Sequence, residues 1–120
     1  MTLVLIALAG GVGAAARFVV DGVVRSRAAL PWLGTTVVNV SGSFLIGLLA
    51  GFAVAHAVPA TWHAVVATGF LGGYTTFSTA AVEGVVLLRA GERRRAAVYV
   101  LGVAVVSALV CSGGFALGSL

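Results

Sequence analysis

The sequence predicts an all-α integral membrane protein with four transmembrane helices, the third broken near its middle. Three observations carry that expectation. Of the 120 residues, 61% are hydrophobic and only 8% are charged, with a mean hydropathy of +1.18. Soluble domains are about one-quarter charged, so this chain cannot cover its surface with ionic groups. The apolar residues gather into four stretches, each close to the roughly 20 residues needed to cross about 30 Å of hydrocarbon. Paired glycines and a run of hydroxyls interrupt the third stretch. An ordinary cytosolic enzyme and a nucleic-acid-binding module are excluded. The net charge of +4 comes from arginines set between apolar runs, not along a polar face. The length fits one membrane domain, residues 1–120. Cys111, the single cysteine, excludes an internal disulfide and a cysteine metal cage. No glycine-rich segment is followed by Lys-Ser/Thr, so a P-loop is absent and no catalytic role is expected.

The elements follow in chain order. With no water to satisfy backbone groups, runs of this length must be helices. The first is expected over about 2–24, interrupted only by Arg17 and Asp21. It lacks a basic leading segment and reads as a mature helix rather than a signal peptide. Arg17 and Asp21 stand four apart and can pair. Arg17 could instead anchor the helix by snorkelling, or form an anion-attracting vestibule. The second helix, about 34–58, follows a turn at Pro31 and places Asn39 and Ser43 on one side. The third, about 62–88, has room for a break near 72–77, and Thr75, Thr79 and Glu83 repeat at four beside Phe77 and Ser78. The fourth, about 96–117, carries Tyr99, Ser107 and Cys111 on a stripe interrupted by Val103. Trp32 and Trp62 fall at span ends, as interfacial aromatics do. His56 and His63 read as solvated loop residues.

Orientation follows from the arginines. Arg25 and Arg27 follow the first helix, and Arg89, Arg93, Arg94 and Arg95 follow the third. Both loops lie on one side of a four-helix chain, while the 56–63 loop on the other has no Lys or Arg. Six arginines against none places the arginine loops in the cytoplasm and both termini outside a cell membrane. The 93–95 run also suits contact with anionic lipid.

Glycine is used about twice as often as average, 17 of 120 residues. Gly47/Gly51 and Gly69/Gly73 form GxxxG pairs that let helix backbones approach closely. Packing does not explain the segment from Gly72 to Thr79. Irregular backbone at mid-membrane is tolerated where it is buried in protein or lines a cavity, and carbonyls freed there are hard ligands for a small cation. The polar faces of the second, third and fourth helices look like the lining of a narrow path. Its donors are amides and hydroxyls, which can replace water around an anion without trapping it. Glu83, an intramembrane carboxylate without a partner in its own helix, is a functional candidate that could also bond neighbouring hydroxyls.

Three segments taken together resemble the small fluoride channels of the Fluc/CrcB family. They run from Gly10 to Phe18, from Gly34 to Phe44 and from Gly69 to Thr79, and their order and spacing span most of the chain. The resemblance implies passive fluoride export by an antiparallel dimer of four-helix subunits, with two pores and a structural sodium ion (Na+) at the dimer centre. It implies that Asn39 lines the pore and that the carbonyls of Gly72 and Thr75 hold the sodium. Phe77 would be the first of two pore phenylalanines, with the Ser78 and Thr79 hydroxyls beside it. Tyr99 and Ser107 would belong to a polar track on the fourth helix, and Glu83 to the pore's polar lining. The positive edge of an aromatic ring can face a dehydrated anion without binding it as tightly as an arginine would.

Two positions depart from the family pattern. Ala80 stands where the second phenylalanine belongs, and Val103 where the fourth-helix track has a hydroxyl. An inverted homodimer also needs a near-zero arginine bias, which this chain lacks. The expected partner is therefore a second four-helix subunit of opposite orientation, a heteromeric paralogue, in a lipid bilayer and without nucleic acid. A small four-helix proton-coupled multidrug transporter is the alternative, but it needs a carboxylate central in the first helix. A non-conducting assembly subunit is the other, and the aligned polar faces argue against it.

Overall fold

The computed structural model describes residues 1–120, and all its regular elements are helical. Three helices are long and apolar enough to cross a membrane: α1 (Thr2–Arg27), α2 (Leu33–His56) and α6 (Arg93–Gly118). The chain is a membrane protein. The third apolar stretch is built in pieces. A short α3 (Ala60–His63) runs into a π-helical segment (Ala64–Leu71), then α4 (Gly72–Tyr74), and after an interruption α5 (Phe77–Arg89). α1 extends past Val24 to Arg27, and α6 begins at Arg93 rather than near residue 96. His56 closes α2 instead of lying in a loop, with its ring stacked 4.2 Å from that of Phe52.

The core is made largely of glycine. Sixteen residues are buried, and nine of them are glycines, so helices meet through backbone more than through side chains. Large apolar residues such as Leu8, Phe18, Val98, Leu101 and Leu109 are exposed, as expected of side chains solvated by lipid. α2 packs most extensively on α6. A Cβ on Gly47 would stand 1.9 Å from the Cys111 carbonyl oxygen, and one on Gly114 would stand 2.4 Å from that of Phe44. Gly51 and Gly118 repeat these approaches one turn on, against Phe115 and Leu48, so the two helices run in the same direction. α1 packs in the same manner on the π-helical segment and α4, where Gly13 meets the Phe70 carbonyl and Gly73 meets that of Gly10. These two parallel, glycine-seamed pairs form the frame around the break.

Gly47→Ala or Gly114→Ala should push α2 from α6 and lower stability by about 1–3 kcal/mol. Gly102, with nothing within 4 Å of its would-be Cβ, should accept alanine without loss. Thermal unfolding in detergent separates the two classes, and equal melting temperatures for all three variants would refute the seam.

Candidate functional site

The site begins with a backbone that cannot continue as helix. In the π-helical segment the Gly72 N–H reaches back to the Ala67 carbonyl, a widened turn of the kind that often marks functional positions. α4 ends at Tyr74, and Thr75 (ψ 158°) and Thr76 (φ −148°, ψ 117°) are extended. The Thr76 N–H, which would bond the Gly72 carbonyl in an unbroken helix, bonds the Asn39 Oδ1 at 2.7 Å. Asn39 Nδ2 in turn donates to the Thr76 carbonyl at 2.8 Å. One amide side chain of α2 thus satisfies both polar groups of a single residue at the break. Thr76 also caps α5, its hydroxyl accepting from the Thr79 N–H at 3.2 Å and donating to the Thr79 hydroxyl at 3.0 Å. Removing such a cap costs about 1 kcal/mol.

α2 carries the rest of the support. The Ser41 and Tyr74 hydroxyls are 3.1 Å apart. Gly42 is the position that admits the break, since a Cβ there would stand 2.4 Å from Thr75 Cγ2. The Thr75 N–H and hydroxyl both return to the Leu71 carbonyl, at 3.0 and 3.1 Å. Its own carbonyl faces Arg17, whose Nη1 lies 3.5 Å away.

Two cavities meet at this break. One, of about 260 Å³, is lined by Asn39, Ser43, Thr75, Thr76, Phe77 and Ser107, among apolar residues that include Ala80 and Val103. The Ser107 hydroxyl is buried and has no hydrogen-bond partner. The other, of about 340 Å³, is lined by Arg17, Asp21, Thr35, Thr76 and Thr79 together with Ala14, Phe18 and Val38. Thr76 lines both. The first cavity holds no charged side chain, and the second holds one of each sign. Phe77 is 83% exposed and Ala80 is buried. Gly72 lines neither cavity, and Ser78, also outside both, lies 3.2 Å from the Thr76 hydroxyl. Because Thr75 is extended and precedes α5, it does not continue the face of Thr79 and Glu83.

A charged network closes the end of the bundle where the arginine loops lie. Arg17 and Asp21 do not pair. Asp21 is taken by Arg25, whose Nε is 2.8 Å from both carboxylate oxygens. Acid before base at this spacing is the better order on a helix, which favours Asp21–Arg25 over Arg17–Asp21. Arg25 Nη2 bonds Glu83 at 2.7 Å and the buried Thr35 hydroxyl at 3.3 Å. Glu83 also accepts from Thr35 at 2.9 Å and from the Tyr99 hydroxyl. Residues of α1, α2 and α6 therefore converge on one carboxylate of α5. Sequence reasoning passed over Arg25, Thr35 and Thr76. Asp21–Arg25 spacing was a visible signal for the first, but the other two had none beyond their place among hydroxyl-rich runs.

An uncharged cavity lined by amide and hydroxyl groups at a broken helix, with the carboxylates held by Arg25 toward one end, is the polar centre of this membrane protein. The chain belongs to the CrcB family: the sequence model of the CrcB-like proteins (camphor resistance) matches residues 4–115. It is 50% identical over 97 residues to a protein of Leifsonia xyli subsp. xyli named fluoride-specific ion channel FluC 1, covering 80% of this chain and 71% of that one. It is 43% identical to fluoride-specific ion channel FluC 2 of Cutibacterium acnes, over 99% of this chain and 98% of the relative. Fluoride-specific ion channel FluC of a Hydrogenobaculum strain is 37% identical over 100% of this chain and 99% of its own length.

Asn39→Ala should leave the Thr76 N–H and carbonyl without partners and cost about 1–3 kcal/mol for each group stranded. Asn39→Asp keeps the acceptor for the N–H but sets a carboxylate oxygen against the Thr76 carbonyl, and should cost no less. Unfolding measurements in which either variant matches the wild type would argue against the double bond to Thr76.

Proposed function

We propose that this chain is one subunit of a passive, fluoride-selective channel that exports fluoride from the cytoplasm, and is not an enzyme. The observation that carries the reading is the 260 Å³ cavity, where neutral donors surround an unpartnered Ser107 hydroxyl beside Phe77. A small anion stripped of water needs such donors, and the absence of a fixed positive charge there lets it leave again. Asn39, Ser43, Phe77, Ser78, Thr79, Glu83, Tyr99 and Ser107 are the residues proposed along the path. Arg17 stands in the vestibule that leads to it. The chain is read as crossing the bilayer four times, with the α3-to-α5 stretch as the third span, arginine loops cytoplasmic and termini outside.

The working unit is read as an antiparallel pair. A partner packed on this face would cover Phe77, which is 83% exposed at the rim of the cavity. Two copies of this chain, both inserting by the same arginine bias, would lie parallel. The partner is therefore proposed to be a paralogue of opposite bias, which supplies the second phenylalanine that Ala80 lacks. One complete pore would then use this chain's Phe77.

The break also fits a sodium ion. The Gly72 carbonyl has lost its helical donor to Asn39, and the Thr75 carbonyl lies at the negative end of α4. Both are hard oxygen ligands. Arg17 approaches Thr75 only at the outer limit of a hydrogen bond, 3.5 Å. Two oxygens are too few for a full shell, so the second subunit would complete it. The ion would neutralise the two carbonyl dipoles and tie the subunits together.

Liposomes loaded with fluoride should empty when this chain is reconstituted with an oppositely biased family member, while chloride-loaded liposomes should not. Little flux is expected from the chain alone. Equal flux of both anions would refute selectivity, and robust flux from the chain alone as an antiparallel homodimer would refute the heteromer. Exchanging sodium for a large organic cation, or replacing Gly72 and Gly73 with Leu, should weaken the dimer. A dimer unaffected by both would remove the sodium site.

A further inference from the structure

The 340 Å³ cavity leading to the break contains a carboxylate, Asp21, and Glu83 stands behind its buried Thr35 wall. Two negative charges at the approach to an anion path would repel the anion, since a cleft of one sign sets the local ion concentration. We infer that Arg25 is a positioning residue for conduction: together with Arg17 it offsets the two carboxylates, so that the approach is not net negative. The inference rests on the fluoride reading and assigns a role that neither charge patterning nor family likeness gives Arg25.

The geometry is specific. Arg25 contacts both oxygens of Asp21 and one of Glu83, all at 2.7–2.8 Å. Its Nε and Nη2 donors are spent on the two carboxylates and on Thr35, which leaves Nη1 without a partner. Arg17 differs, with no carboxylate partner and one long contact to the Thr75 carbonyl. The four groups Arg17, Asp21, Arg25 and Glu83 sum to zero, and without Arg25 they sum to one negative charge. Tyr99 and Thr35 fix the Glu83 side of the bridge. The Asp21 side is fixed by Gly34, because a Cβ there would stand 1.9 Å from Asp21 Oδ1. Arg25 is 36% exposed in its side chain, against 18% for Glu83, so salt should screen its effect in part.

The test is fluoride efflux from liposomes carrying the pairing that supports wild-type flux, at low and high ionic strength. Arg25→Gln should reduce efflux by about ten-fold at low salt and by clearly less at high salt. Arg25→Lys keeps the charge without the fork and should retain most of the flux. In the Arg25→Gln background, Asp21→Asn restores the balance and should recover most of the loss. A purely structural Arg25 would give a loss independent of salt and not rescued by Asp21→Asn, which would overturn the inference. Unchanged flux in Arg25→Gln beside a conducting wild type would overturn it as well. A wild type that carries no fluoride in any pairing would overturn the functional reading and this inference with it.

Discussion

In hydrocarbon, a backbone N–H or carbonyl without a partner is costly, and this chain leaves helix at Thr75 and Thr76 all the same. The amide of Asn39 answers that constraint by bonding the N–H and carbonyl of Thr76 together. Much of the architecture serves that contact. Asn39 reaches Thr76 because Gly42, one turn along α2, lets Thr75 come close. α2 is held in place from behind by its glycine seam with α6, and the segments before the break are held by the seam with α1. The glycines that deprive the chain of side-chain packing are what permit an irregular backbone at depth.

The same arrangement separates polar groups by kind. Around the smaller cavity the polar side chains are an amide, hydroxyls and the edge of the break, with no charge. The carboxylates and their arginine are gathered at the arginine end, where Arg25 and Glu83 remain partly exposed. Ionic groups pair at less cost near water than in the interior. Neutral groups line the smaller cavity and the carboxylates lie toward the arginine end, with Arg17 reaching the break between them.

Much of this was legible from residue types alone. Composition and run length gave the helical class and the spanning length of three helices, because lipid leaves an apolar chain few options. Asn39, Glu83 and Tyr99 stood out as polar groups in apolar runs, but Thr76, Thr35 and Arg25 did not stand out as their partners. Asn39 reads as a pore amide in sequence; it lines the 260 Å³ cavity and also bonds both backbone groups of Thr76, a contact that residue types alone do not show. Arg17 and Asp21 have the right spacing to pair, and a second arginine four residues further on, in the better order, takes the acid instead. The face of Thr75, Thr79 and Glu83 assumed an unbroken helix through the very residues that are extended. The π-helical turn at Ala64–Leu71 has no periodic signature at all, and α1 approaches that stretch closely at Gly10 and Gly13.

Ala80 and Val103 acquire a common meaning in this setting. Both line the 260 Å³ cavity that also holds Asn39, Phe77 and Ser107. A water occupies about 30 Å³ of liquid, so a cavity of this size with polar walls has room for several. Under the fluoride reading, an anion here could keep part of its hydration, because the second ring that would strip it and the hydroxyl that would replace a lost water are both absent. Such a cavity discriminates poorly by dehydration on its own. A partner that contributes the missing ring would narrow the bore against Phe77. The same two substitutions would leave the second pore of the pair wide and short of donors. In the proposed heteromer that loss is tolerable, because its two pores need not be equal, and the one-sided distribution of arginines fits the same proposal.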